Sequence, residues 1–157
     1  MIIRRFREED APVIAELFHH TVHTVNIQDY FPQQIAAWAP ENLQFRDWLG
    51  ICAKRFTFVA EENDAILGFA ELEKDGYIGC FYCHKDHQRK GIGSHLYKSV
   101  ETQARQLDLS ELIVEASITA KPFFLKMGFQ VRQKQTVFRR GETFVNYRMI
   151  KVLCRND

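Results

Sequence analysis

The sequence predicts an α+β fold, a mixed and largely antiparallel sheet of about seven strands with helices on both faces. Three observations predict it. Apolar runs at residues 57–61, 66–73 and 77–83 are joined by connections too short for anything but antiparallel turns. Beyond them, strand-like and helix-like patterns alternate. Ahead of them the chain is mainly helical in pattern, so the sheet draws cover from both halves of the chain.

In order, residues 2–6 read as a short first strand. Asp10 is placed to cap a helix with Pro12 in its first turn, and Val13, Ile14, Leu17 and Phe18 form an apolar face at helical spacing. Residues 30–48 are aromatic and interrupted by Pro32 and Pro40, which predicts one or two short helices with irregular joints. The three central strands follow, turning at Glu62-Asn63-Asp64 and Lys74-Asp75-Gly76. Ile92, Leu96, Val100, Ala104 and Leu107 mark one side of a long helix. Residues 112–116 suit a buried strand, and residues 121–127 a short helix closed by Gly128. Residues 129–138 and 143–153 pair as a hairpin around Arg140-Gly141. The apolar final strand permits a dimer seam, so both monomer and homodimer are compatible with the sequence.

At 157 residues, with 46% apolar and 13% aromatic side chains, residues 1–157 are expected to form a single domain with a substantial core. The 21 basic and 20 acidic residues leave a formal charge of +1, which gives no electrostatic case for a nucleic-acid or membrane partner. Charges near the N-terminus stand where a secretion signal needs an apolar run, and no stretch reaches membrane-spanning length. A cytoplasmic protein with four free thiols (Cys52, Cys80, Cys83 and Cys154) is the resulting expectation.

The most informative segment joins a strand, a glycine loop and a helix: residues 80–94, ending His-Gln-Arg-Lys-Gly-Ile-Gly-Ser. Gly91 and Gly93 permit unusual backbone dihedrals and close approach of a ligand. A helix beginning near Ile92 presents unpaired N–H groups and its positive dipole end, and Arg89 and Lys90 add charge suited to phosphate. The chemistry is that of a phosphate cradle. It is neither a P-loop, which needs a Lys-Ser or Lys-Thr after its glycines, nor a dinucleotide fingerprint, because Leu96 stands where the third glycine belongs.

Gln88-Arg89-Lys90-Gly91-Ile92-Gly93 resembles the Q/R-x-x-G-x-G/A loop of the GCN5-related N-acetyltransferase (GNAT) superfamily. Ala120-Lys-Pro-Phe-Phe-Leu-Lys-Met-Gly-Phe129 is similar to that superfamily's A-x-x-F-Y-x-K-x-G-F helix, at the proper distance. The resemblance extends over about the whole chain and is strongest across residues 57–129. It implies a sheet splayed between the fourth and fifth strands and acetyl-CoA as co-substrate. The pantetheine arm would pair with the backbone of Phe81, Tyr82 and Cys83. The amides of Arg89, Lys90, Gly91, Ile92, Gly93 and Ser94 would hold the pyrophosphate, while Ser117 and Phe123 line the same molecule.

Acetyl transfer to an amine needs a proton acceptor, stabilisation of the thioester oxygen, and departure of a thiolate. The N–H of Cys83 is a candidate for the oxygen. Glu115 is the first candidate base, since it interrupts an apolar strand and shares a face with Ser117; Glu71 is second, although its position suits a solvent-facing side chain. The superfamily's frequent acid, the Tyr of F-Y, is Phe124 here. Tyr82 is therefore the preferred donor to the leaving sulfur, with Tyr147 as the alternative. A thiol near pKa ~8.5 leaves as thiolate at a cost of only about 2 kcal/mol at neutral pH, so an acid is helpful rather than essential.

Other motifs carry less. Cys80-Phe-Tyr-Cys83-His84 matches redox and haem-attachment strings, but a three-residue offset sends strand thiols to opposite faces. His19, His20 and His23 offer a metal-like spacing without a carboxylate or cysteine partner, so no metal is expected. Tyr30, Phe31 and Trp38 are candidate acceptor contacts. The expected function is acetyl transfer to a primary amine on a small molecule, by direct attack in a ternary complex. The rival is a non-catalytic acyl-CoA-binding sensor or interaction domain.

Overall fold

The computed structural model describes residues 1–154. The first four strands form a meander: β1 (Ile2–Arg5), β2 (Phe56–Glu62), β3 (Ala65–Leu72) and β4 (Tyr77–Cys83), each antiparallel to the next. The β2–β3 turn is made by Asn63 and Asp64 at φ 51° and 64°, a left-handed pair that matches the twist of adjacent strands and that Asn and Asp tolerate. β4 then runs parallel to β5 (Glu111–Ser117), and a hairpin of β6 (Gln130–Arg139) and β7 (Glu142–Val152) completes a seven-stranded sheet in the order β1-β2-β3-β4-β5-β7-β6.

Helices cover both faces. α1 (Ala11–Thr24), α2 (Pro32–Trp38) and α3 (Trp48–Lys54) lie on one side, where Ile14, Phe18 and Trp48 pack on Phe69 and Phe144. α4 (Ile92–Gln106) and α5 (Lys121–Lys126) lie on the other, where Leu96, Val100 and Phe124 meet Leu72, Leu112 and Met149. Each fully buried aliphatic or Phe side chain contributes about 1.5–3 kcal/mol, so the amphipathic stripe of α4 suffices to hold it on the sheet. Asp10 does precede α1, but its carboxylate does not cap that helix. It turns back to accept the Arg7 N–H at 2.8 Å and closes the preceding 3₁₀ turn.

Two features position the site. Ala70 pairs with Phe81 while Leu72 pairs with Ile78, so Glu71 faces two residues, Gly79 and Cys80. This bulge bends β4 just where its pairing with β5 ends: only Tyr77↔Ile113 and Ile78↔Val114 are joined, and the strands part beyond them. The expected splay is therefore present. The final strand β7 is interior, paired with β5 on one side and β6 on the other, and β6 lies at the sheet edge.

Candidate active site

On the α4 side of the splay, Arg89 and Gly91 both take left-handed backbone, at φ 59° and 83°, and Gly91 serves as the N-cap of α4. A Cβ on Gly91 would meet nothing closer than 3.9 Å, so its dihedral, rather than space, calls for glycine. At Gly93 space decides, since a Cβ would lie 3.0 Å from the Phe123 ring. The Gln88 amide braces the loop by donating to the carbonyls of Cys83 (2.8 Å) and His84 (3.2 Å). His84 donates its N–H to Leu67 on β3. By strand alternation, Phe81 and Cys83 turn their N–H and C=O groups away from β3 and into the splay.

These elements border a cavity of about 570 Å³. The residues expected to hold the cofactor all line it except Lys90, whose side chain lies outside and exposed. Ser117 Oγ accepts the Ala120 N–H at 3.0 Å, fixing the turn into α5 and leaving the hydroxyl proton free to donate. The site can thus offer helix-start amides, two strand amides and an apolar wall to a long, partly anionic molecule.

A second cavity of about 440 Å³ opens on the α1–α3 side. Trp38, Gly79, Tyr82, Glu115 and Ser117 border both, so the two meet through the gap between β4 and β5. Glu115 is exposed at this junction and accepts from Gln135 Nε2 at 2.8 Å. Its charge and hydrogen bonding, after burial, help push the neighbouring Tyr77 hydroxyl up to about 12. Tyr82 sits edge-on to Phe18, with ring centroids 5.0 Å apart, and burial raises its hydroxyl well above the usual range, so it stays protonated. Burial also raises the Cys83 thiol to about 11 and Cys80 well above its ordinary value. Neither supplies a thiolate at neutral pH.

Several expectations are refined. Glu71 does not face solvent: it is fully buried in the bulge, taking Arg46 at 2.7 and 3.0 Å and Arg55 at 2.7 Å. Tyr147 borders neither cavity and lies under the Lys121 ammonium at 4.2 Å. Phe124 is buried among Phe81, Phe123 and Phe129, in a setting that rewards an apolar ring. Tyr30 and Trp38 line the second cavity, but the Tyr30 hydroxyl is committed to structure, donating to Val145 O (2.7 Å) and accepting from Ile118 N (2.9 Å). Phe31 is 73% exposed and outside it. His19 stacks on His23 at 4.2 Å, and no metal-holding group of three His, Cys, Asp or Glu residues occurs among the described residues.

Sequence reasoning missed Arg46, Arg55, Arg139, Arg140 and Asn146, all of which border the second cavity. They come from the α2–α3 connection, the end of α3, the β6–β7 hairpin and β7, and no local spacing links them. Gly79 was findable, because a glycine inside a strand pattern signals a bulge or close approach. The Arg55 guanidinium lies against it where a Cβ would collide.

Comparisons with known proteins agree with this architecture. A family model described as an acetyltransferase (GNAT) domain matches residues 26–151. The uncharacterized N-acetyltransferase YafP of Escherichia coli (strain K12) is 35% identical over 147 residues, covering 94% of this chain and 93% of that one. A GCN5-related N-acetyltransferase from Rhodopseudomonas palustris superposes with a TM-score of 0.91 at 29% identity, over 97% of this chain and 95% of that one. The fold is shared with the PaiA N-acetyltransferase of Thermoplasma acidophilum, solved with coenzyme A, at a TM-score of 0.82 and 18% identity over 97% and 98% of the two chains. No helix among the described residues is long and apolar enough to cross a membrane. With its splayed sheet, glycine loop and matching family model, the chain belongs to the GNAT family of N-acetyltransferases.

Proposed function

We propose that this N-acetyltransferase moves the acetyl group of acetyl-CoA to a primary amine on a small molecule, by direct attack within a ternary complex. The observation that carries the reading is the meeting of two cavities, one on each face of the sheet, at Tyr82, Glu115 and Ser117. The larger has the amides and apolar wall that suit a pyrophosphate and a pantetheine arm; the smaller is of a size for a compact acceptor. A binding module has no need of the second cavity.

Bound acetyl-CoA supplies the activated thioester. The N–H of Cys83, turned into the splay, donates a hydrogen bond that stabilises the charge developing on the carbonyl oxygen. Glu115 takes the proton lost by the attacking amine, directly or through one water. The C–N bond forms as the C–S bond breaks, and the protonated Tyr82 hydroxyl donates a hydrogen bond to the departing thiolate. The raised thiols of Cys80 and Cys83 argue against an acyl-cysteine step and for direct attack.

Substitution Glu115→Gln tests the assignment. We expect kcat/KM to fall about 10²-fold, with the deficit concentrated on the acid limb of the pH profile and acetyl-CoA affinity unchanged. An unaltered profile would place the proton acceptor elsewhere.

A further inference from the structure

The acceptor-side cavity is unevenly charged. Arg46, Arg55, Arg139 and Arg140 border it, against Glu115 alone among its lining carboxylates. Glu71 lies behind the wall and is shared by Arg46 and Arg55, the latter also reaching Glu73 at 3.4 Å. Among the described residues, no ion pair joins Arg139 or Arg140 to a carboxylate. Arg140 is nonetheless held in place: its guanidinium lies 4.8 Å from the Phe45 ring centroid and donates to Ala37 O at 2.8 Å. A planar fork already oriented loses less freedom when it captures an anion.

The junction end has the opposite character. Glu115 stands there with its carboxylate exposed, and Asn146 lies across from Ser117 on the neighbouring strand. An exposed carboxylate is the natural partner of an amine in its ammonium form. The cavity therefore has an amine-accepting pole at the splay and an anion-accepting pole at the hairpin.

Resting on the transferase reading above, we propose that the acceptor is an acidic amine: a small molecule with a primary amine at one end and a carboxylate or phosphate at the other. The guanidinium cluster disfavours diamines and other polycations by like-charge repulsion. Arginine forks serve carboxylate and phosphate alike, and the experiment separates the two.

Amine-dependent thiol release is measured for an aminocarboxylate, an aminophosphate, an amino alcohol and a diamine of equal chain length. One of the acids should exceed the amino alcohol and the diamine in kcat/KM by about tenfold or more, and the better acid names the anion. The double variant Arg139→Gln/Arg140→Gln should raise the KM of that acid by a similar factor, leaving the amino alcohol's KM and acetyl-CoA affinity unchanged. Arg46 is kept intact because it supplies two of the guanidinium donors to the buried Glu71. A diamine or amino alcohol equal to the acids, or an unmoved KM in the variant, overturns the inference and leaves the transferase reading standing. If no amine releases thiol, the transferase reading fails. Calorimetry of the same series on the coenzyme A complex then reads the cavity directly, and acids binding no tighter than the diamine overturn the inference as well.

Discussion

Asp10 and Glu71 are carboxylates with almost no exposed surface, 4% and 0% respectively, and each survives burial by gathering guanidinium donors. Asp10 receives both terminal nitrogens of Arg4, at 2.8 and 2.9 Å, and the Arg7 N–H. Desolvation pushes its pKa up, but these donors outweigh it and hold the carboxyl below the ordinary value of about 3.9. A depressed folded-state pKa stabilises the native protein fully above the unfolded value, and the contribution is lost as pH falls through the folded value. Asp10→Asn should therefore cost about 3 kcal/mol at pH 7, the range for breaking a buried pair, and the difference from wild type should shrink as unfolding is measured at progressively lower pH below about 4. A pH-independent difference would contradict the charged role. Glu71 is paired with Arg46 and Arg55, and together with Arg55 it explains why Gly79 carries no side chain.

At the scale of elements, the strand–loop–helix unit from β4 to α4 is the proposed cofactor site. Gly91→Ala forces an L-residue to φ 83°, a strain of about 1–2 kcal/mol. We expect a lower melting temperature together with a raised KM for acetyl-CoA and an unchanged KM for the amine, measured by steady-state kinetics; equal changes in both KM values would detach the loop from the cofactor. This unit was legible in the sequence because its signals are local: two glycines, basic neighbours and a helical stripe starting at Ile92. The succession of seven strands along the chain was legible for the same reason, through short turns and alternating runs. The β4 bulge and the burial of Glu71 were not, because both depend on Arg46 and Arg55 arriving from the α2–α3 connection and α3. The interior place of β7 was hidden too, since an apolar strand looks alike whether it pairs within one chain or between two. Arg139 and Arg140 read locally as turn residues, and only the folded hairpin brings them to a cavity.

For the whole molecule, the sheet is both scaffold and partition. It separates a face built by α4 and α5 from one built by α1, α2 and α3, and the bulge at Gly79 and Cys80 opens a single gap in it, between β4 and β5. In the mechanism proposed above, function follows from that gap, because a donor on one face and an acceptor on the other meet there. Initial rates of thiol release, with acetyl-CoA and a small acidic amine varied together, test this account most directly. Release that requires the amine, with intersecting double-reciprocal lines, is the predicted result for attack in a ternary complex. Acetyl-CoA that binds and stabilises the protein while no amine of any charge releases thiol would contradict it.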